Sequence, residues 1–432
     1  MFSNRLAAAL QRRHIHYGWV VVAVTFLTML VTAGAMGAGG VLIVPLEKEF
    51  GWSTAEISTA LALRILLYGL LGPFAAAFLN RFGLRPVAMV ALGMIAVGYV
   101  FSLFMGELWQ LIVLWGVIVG VGTGLTALVL GATVATRWFV KRRGLVVGLM
   151  TASMATGQLV FLPVLATLTE RHGWRTALLF VAGALVLAIV AVTFLMRDRP
   201  SDVGLPAYGE TEVASPPPAP GGLATLVTSP LMALRDASRS RTFWVLFATF
   251  FVCGASTNGL VQTHFITLCG DYGIEAVSAA GLLAVIGVFD FCGTILSGWL
   301  SDRFDNRWLL FWYYGLRGLS LAALPFTDFS FYGLSLFAVF YGLDWVATVP
   351  PTVRLTTDNF GRERANLVFG WIFAAHQIGA ATAAFGAGLS RTELSSYLPA
   401  FFAAGLLCLV AAALALTINR ARRDRVTAAQ AA

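Results

Sequence analysis

The sequence predicts an all-α membrane protein: twelve transmembrane helices in two pseudo-symmetric six-helix bundles. Three observations carry this reading. Apolar residues make up 58% of the chain and charged residues only 12%, against ~25% charged in an average soluble domain. The apolar residues gather into twelve long segments, each near the ~20 residues a helix needs to cross ~30 Å of hydrocarbon. A short basic pattern, Arg81-Phe82-Gly83-Leu84-Arg85, returns 222 residues later as Arg303-Phe304-Asp305-Asn306-Arg307. Arg142 and Gly148 map onto Arg364 and Gly370 at the same offset. Two landmarks at one spacing read as duplication of a six-helix unit.

The first half takes residues 1–196, with spans near 17–43, 54–80, 85–105, 108–137, 143–169 and 174–196. Arg5, Arg12 and Arg13 precede the first span. Its apolar run is too long for a signal-peptide core, so it is expected to remain as a helix. Residues 197–240 form the one long polar stretch and contain Ser215-Pro216-Pro217-Pro218-Ala219-Pro220-Gly221-Gly222. That composition buries no core, which predicts a partly disordered linker, with a short surface helix near 228–238. The second half takes residues 241–432, with spans near 241–270, 276–301, 307–326, 329–357, 363–390 and 394–419, then a short tail. Small residues such as Gly116, Gly120 and Gly124 in the fourth span, and Gly379 to Gly388 in the eleventh, let helix backbones approach closely in lipid.

The net charge is +8, and its distribution argues against a nucleic-acid partner. Of 29 Lys and Arg residues, 23 fall on the side shared by both termini. Lys48, Arg171, Arg175 and Arg391 fall opposite, and Arg64 and Arg317 lie within spans. The positive-inside rule then places both termini in the cytoplasm, with the chain in the plasma membrane, the inner membrane if the cell is bacterial. The four cysteines, Cys253, Cys269, Cys292 and Cys408, sit in or beside apolar segments without a Cys-x-x-Cys pair. They read as small packing residues, with no metal site and no disulfide framework. No Walker loop, catalytic triad or metal-spaced cluster is present, so neither an enzyme nor a cofactor is expected.

Gly298-Trp299-Leu300-Ser301-Asp302-Arg303-Phe304 resembles the loop between the second and third helices of each half in the major facilitator superfamily. The first-half copy, Ala76 to Arg85, carries Asn80 in place of the Asp. Tyr17-Gly18-Trp19, Trp138-Phe139-Val140-Lys141-Arg142-Arg143-Gly144-Leu145 and Phe289-Asp290 look like the monocarboxylate porter and oxalate–formate antiporter group. Members of that group often carry an Arg one turn after the Phe-Asp, where this chain has Thr294. The resemblance implies gradient-driven transport by alternating access, and a gating role for Arg81, Arg85, Asp302, Arg303 and Arg307. Independently of it, a carboxylate and guanidinium at helix ends can form charge-assisted bonds that latch one face.

Charges inside the hydrocarbon are costly, so each is a functional candidate. They are Arg64, His264, Asp290, Arg317, Asp344 and His376. Arg64 offers a bidentate donor to a carboxylate, or else a structural pair with a distant helix. In the superfamily fold the second and eleventh helices adjoin, which would bring Arg64 toward His376 and Gln377. His376 can donate to an anion, carry a proton or simply pack. Asp290, Arg317 and Asp344 lie at similar depth, about 10 to 14 residues from the side of the termini, a match within roughly a turn at ~1.5 Å per residue. Arg317 is expected to neutralise one acid and leave the other to titrate. Asp344, on a predicted cavity helix, is the expected proton carrier.

Polar stripes mark the expected cavity face. Thr123, Thr126, Thr133 and Arg137 share one helical side; so do Thr25, Thr28 and Thr32; and Tyr341, Asp344, Thr348 and Thr352. Asn258 and Gln262 share a face of the seventh span. Threonines also bond their own backbone, the competing explanation. Pro350-Pro351 and Gly259 mark breaks or hinges. The expected binding set is Arg64, His376, Gln377, Asn258, Gln262, Tyr341 and Thr126. Two buried cations favour an anion, so the sequence reads as a monomeric, proton-coupled carrier of small organic anions. An antiporter of lipophilic or cationic compounds and a transporter-like sensor are the alternatives.

Overall fold

The computed structural model describes residues 2–126, 128–213, 223–301 and 303–418. The first half contains α1 (Gly18–Phe50), α2 (Thr54–Phe82), α3 (Leu84–Ser102), α4 (Leu108–Trp138), α5 (Arg143–His172) and α6 (Trp174–Leu195). The second contains α7 (Arg241–Asp271), α8 (Ala276–Ser301), α9 (Asn306–Ala323), α10 (Tyr332–Phe360), α11 (Arg362–Leu394) and α12 (Leu398–Ala415). Among the described residues, ten of these meet the length and hydropathy of a membrane span. The other two are α5 and α9. Arg317, with Trp308, Trp312, Tyr313 and Tyr314, lowers the hydropathy of α9. Short helices Phe2–Gln11 and Leu223–Ala237 flank the first half.

Most spans begin and end within a few residues of the apolar runs. The exception is α1, which continues past its apolar run to Phe50. Glu47, Lys48 and Glu49 end the hydrophobic pattern but not the helix. Gly51, at φ 71°, ends it instead, in the left-handed conformation that glycine adopts without steric cost. Ser53 and Glu56 then start α2 with a reciprocal capping box.

Two faces follow from the contacts. One, the linker face, brings together Tyr17 with Leu195, Arg137 with Leu79, and Arg307 with Ile418. The distal face joins Glu49 to Trp174 and Arg175, and Glu47 to Thr54 and Arg391. Helices α2 and α8 both run from the distal to the linker face, so Arg81 and Arg303 end on the same side, as the duplication requires. The halves meet along α2–α11, α5–α8 and α1–α7. At the first of these, Gly69 has no room for a side chain: a Cβ there would lie 2.2 Å from Cβ of Gln377.

The start of the linker departs from the loose segment its polarity predicts. Asp198 accepts from the Arg85 backbone N–H at 2.9 Å. The Tyr208 carbonyl accepts from the backbone N–H groups of Val140 and Lys141 at 3.0 and 3.1 Å. Its ring packs edge-on to His16 and tilted against Phe139, both at 5.5 Å. One aromatic ring and paired backbone groups suffice to dock a segment that is polar on average. The helix Leu223–Ala237 packs against α2 and α11, across both halves, with the Pro230 carbonyl accepting from Trp371 Nε1 at 2.8 Å. The Ser215–Pro220 run lies outside the described residues.

Candidate functional site

Pro350 and Pro351 have no backbone N–H, so α10 loses two helical hydrogen bonds. The α-helix stops at Asp344 and restarts at Val349. The backbone groups freed by this break need partners, because lipid supplies none. They find them on α8 and α9. Ser297 Oγ donates to the Ala347 carbonyl at 2.5 Å. Arg317 Nη2 donates to the carbonyls of Asp344 and Trp345. The Val346 N–H donates to Asp290 Oδ1 at 2.9 Å. Helix α8 can approach so closely because Gly293 faces the Leu343 carbonyl, where a Cβ would sit at 1.9 Å.

Arg317 also settles which acid it pairs with. Its Nε lies 2.6 Å from Asp344 Oδ2, and its side chain is fully buried. Its Nη1 donates to Cys253 Sγ at 3.0 Å. Asp290 makes no ion pair among the described residues. Its Oδ1 accepts from Val346 and, at 3.1 Å, from the Thr294 hydroxyl. Thr294 thus gives Asp290 a hydrogen bond where an arginine would have given a charge.

Asp290 lines a cavity of about 530 Å³ between the two halves. The cavity reaches from mid-depth toward Leu145, near the start of α5 on the linker face. Tyr68, Phe250, Trp345 and Phe373 contribute aromatic walls, and Asn258, His376 and Gln377 polar ones. His376 is 8% exposed and Gln377 1%. Among the described residues, His376 Nδ1 and Gln377 Oε1 have no hydrogen-bond partner. The His376 ring lies nearly parallel to Phe373, centroids 5.8 Å apart, and 5.1 Å from Phe250. Asn258 lies in Ala255–Gln262, a π-wound stretch of α7. Such widened turns occur often at functional sites.

The sequence-predicted binding set divides here. His376, Gln377 and Asn258 line the cavity. Arg64, Gln262, Tyr341 and Thr126 are not among its lining residues. Arg64 turns into the first bundle, away from the predicted approach to His376. It donates to the Met36 carbonyl at 2.8 Å and the Tyr99 hydroxyl at 3.4 Å, and its Nε has no partner among the described residues. Gly39 and Gly120 leave the space that admits its side chain and backbone. The Tyr341 hydroxyl donates to the Ser256 carbonyl at 2.6 Å. Thr126 lies 3.3 Å from Thr32, joining α4 to α1. Thr25, Thr28, Thr123, Thr133 and Thr352 bond carbonyls one turn back on their own helices. His264 is fully buried nearer the distal face, bonded to the Ala384 carbonyl at 2.7 Å and to Tyr397.

The described loop residues are not among those lining the cavity. Arg81 and Arg303 sit over the rings of Phe82 and Trp299 at 5.8 and 4.1 Å. Arg307 pairs with Asp305 at 2.5 Å. Asp302 lies outside the described residues. A cross-half cluster lies instead on the distal face. Arg391 of α11 reaches Asp271 at 2.9 Å, Glu47 of α1 at 3.5 Å and the Thr54 hydroxyl at 3.0 Å. The Ala55 N–H donates to Thr392 Oγ1 at 3.2 Å. Sequence reasoning passed over Tyr68, Phe250, Cys253, Trp345 and Phe373. The signal available was position: Trp345 follows Asp344, and Phe373 precedes His376 by one turn.

Comparison with known proteins agrees with this architecture. Monocarboxylate transporter 13 of Rattus norvegicus is 27% identical over 405 residues, 93% of this chain and 89% of its own. The crystal structure of a D-xylose-proton symporter superposes with a TM-score of 0.72 at 14% identity, covering 94% of this chain and 98% of that one. A bacterial homologue of the human lysosomal transporter Spinster gives 0.73 at 16% identity over the same shares. These likenesses are to membrane transporters, not enzymes. Residues 24–384, spanning both bundles and the cavity between them, match the Major Facilitator Superfamily, and the chain belongs to that family.

Proposed function

We propose that this protein is a proton-coupled secondary transporter of small organic acids, working by alternating access through the central cavity. The observation that carries this reading is Asp290, a carboxyl group on the cavity wall without a cationic partner among the described lining residues. An ionised carboxylate is costly in an apolar cavity, and a second anion entering beside it costs more. Protonation of Asp290 removes both penalties, which couples entry of an acid to a proton. The similarity to a monocarboxylate transporter supports an organic acid as cargo. His376, Gln377 and Asn258 are its polar contacts. The proton role passes from Asp344 to Asp290, because Arg317 holds Asp344 in a buried pair. The anion contact passes from Arg64 to His376 for the same kind of reason, since Arg64 is committed within its own bundle.

The distal cluster around Arg391 and the cavity's reach toward the linker face support a state closed on one side. With both termini cytoplasmic, as the charge distribution indicates, that state faces inward. Uptake of labelled pyruvate into proteoliposomes tests the reading. Accumulation should follow an imposed proton gradient and stop with a protonophore. Gradient-independent uptake, or none by any small carboxylate, contradicts it. One observation favours a second reading, antiport of lipophilic cations: aromatic walls around an acid also suit a cation. Tetraphenylphosphonium efflux that survives when carboxylates fail to bind would select it.

A further inference from the structure

We propose that the preferred cargo is zwitterionic: a carboxylic acid that carries an ammonium group on a ring-bearing apolar body. This rests on the reading of the cavity as an organic-acid site and narrows it. Charge and hydrogen-bonding capacity in the cavity both favour such a cargo. Among its described lining residues stands one carboxyl group, Asp290, and no Lys or Arg. The two cations buried in the spans offer no substitute. Arg317 is fully buried, and its donors go to Asp344, Trp345, Cys253 and Ser256. Arg64 points into the first bundle.

A plain carboxylate therefore meets a wall whose one full charge repels it, unless a proton enters too. A cargo with its own ammonium balances the ionised Asp290 itself as the proton leaves, so the carboxyl that takes up a proton beside a plain acid exchanges that proton for this cargo. Hydrogen-bonding capacity points the same way. Gln377 is 1% exposed and its Oε1 has no hydrogen-bond partner among the described residues. That oxygen and the Asp290 carboxylate both accept, and an ionised carboxylate has nothing to donate to them. An ammonium has three N–H donors. The carboxylate end is served by the unpartnered His376 Nδ1 and by the Asn258 amide. Tyr68 and Phe373, 6.1 Å apart and inclined at 67°, form an aromatic corner with Phe250 beyond His376. Such a corner receives a ring edge-to-face and attracts the adjoining cation.

A matched ligand set tests this on the purified full chain by calorimetry and thermal shift: L-phenylalanine, phenylpyruvate, phenethylamine and pyruvate. Phenylalanine is expected to bind about tenfold tighter than phenylpyruvate or phenethylamine, the scale of one charge-assisted hydrogen bond. Asp290→Asn keeps the Oδ1 acceptor used by Val346 and Thr294, so the break in α10 stays supported. That variant should lose the advantage of phenylalanine while binding phenylpyruvate as well as before or better. Phenylpyruvate binding as tightly as phenylalanine to the unaltered protein overturns the proposal. Binding of pyruvate or phenylpyruvate alone ends it but leaves the organic-acid reading standing. Binding of phenethylamine alone ends both, and binding by none of the four also overturns it.

Discussion

The Arg317 guanidinium lies 2.6 Å from the Asp344 carboxylate, and this pair, buried between α9 and α10, decides how the remaining acid can be used. Removing one partner strands a charge at a site that Arg317 also braces through two backbone carbonyls. Such losses typically cost about 3–5 kcal/mol. Arg317→Met and Asp344→Leu are each expected to lower thermal stability strongly. An Arg317→Met/Asp344→Leu double variant should regain much of the loss. Measured melting temperatures of all three, compared as a cycle, check this, and additive losses would contradict a coupled pair.

Arg64 is expected to matter for stability rather than affinity. Its bonds to the Met36 carbonyl and Tyr99 hydroxyl stay within the first bundle. Hydrogen bonds from a charged group contribute about 1.5–3 kcal/mol. Arg64→Ala should therefore melt earlier, while the folded fraction binds carboxylates with affinity close to the unaltered protein. A loss of binding by two orders of magnitude in folded protein would return Arg64 to the cargo site.

Much of this was legible before any coordinates. The apolar runs located the spans because burial in lipid leaves few other places for ~20 apolar residues. The 222-residue offset placed Arg81 and Arg303 on one face, and Pro350-Pro351 marked the break in α10. The sequence also put Asp290, Arg317 and Asp344 at one depth. It did not say which acid Arg317 would choose, because that depends on how α8, α9 and α10 pack. The direction of Arg64 was equally hidden, since helix periodicity gives a face and not a rotamer. The threonine stripes misled for a local reason: most of those hydroxyls bond their own helix, which leaves the same periodicity without a cavity. The aromatic walls were overlooked because a Phe or Trp in an apolar span looks the same facing lipid or cargo.

The distal cluster is expected to bias the conformational balance. Arg391 spans the halves by reaching Glu47 and Thr54. Partly exposed pairs of this kind contribute about 0.2–1 kcal/mol each. Glu47→Gln and Arg391→Ala should shift the population only a few-fold toward distal opening. The rate at which a cysteine placed at Thr267, on the distal half of α7, reacts with a membrane-impermeant reagent from that side reports the shift. An unchanged rate in both variants would deny the cluster a gating role.

The orientation proposed from charge has a direct check. A cysteine introduced at Ser201, on the linker face, should react with an impermeant reagent only from the cytoplasm. Labelling from the outside of intact cells would reverse the orientation.

The central claim is that Asp290 carries the coupling proton at the cavity wall. Its most direct test compares two assays of Asp290→Asn in proteoliposomes: uptake of a labelled carboxylate driven by a proton gradient, and exchange of the same carboxylate at equal pH. Gradient-driven accumulation should vanish while exchange persists. Accumulation that still follows the proton gradient in this variant would contradict the account.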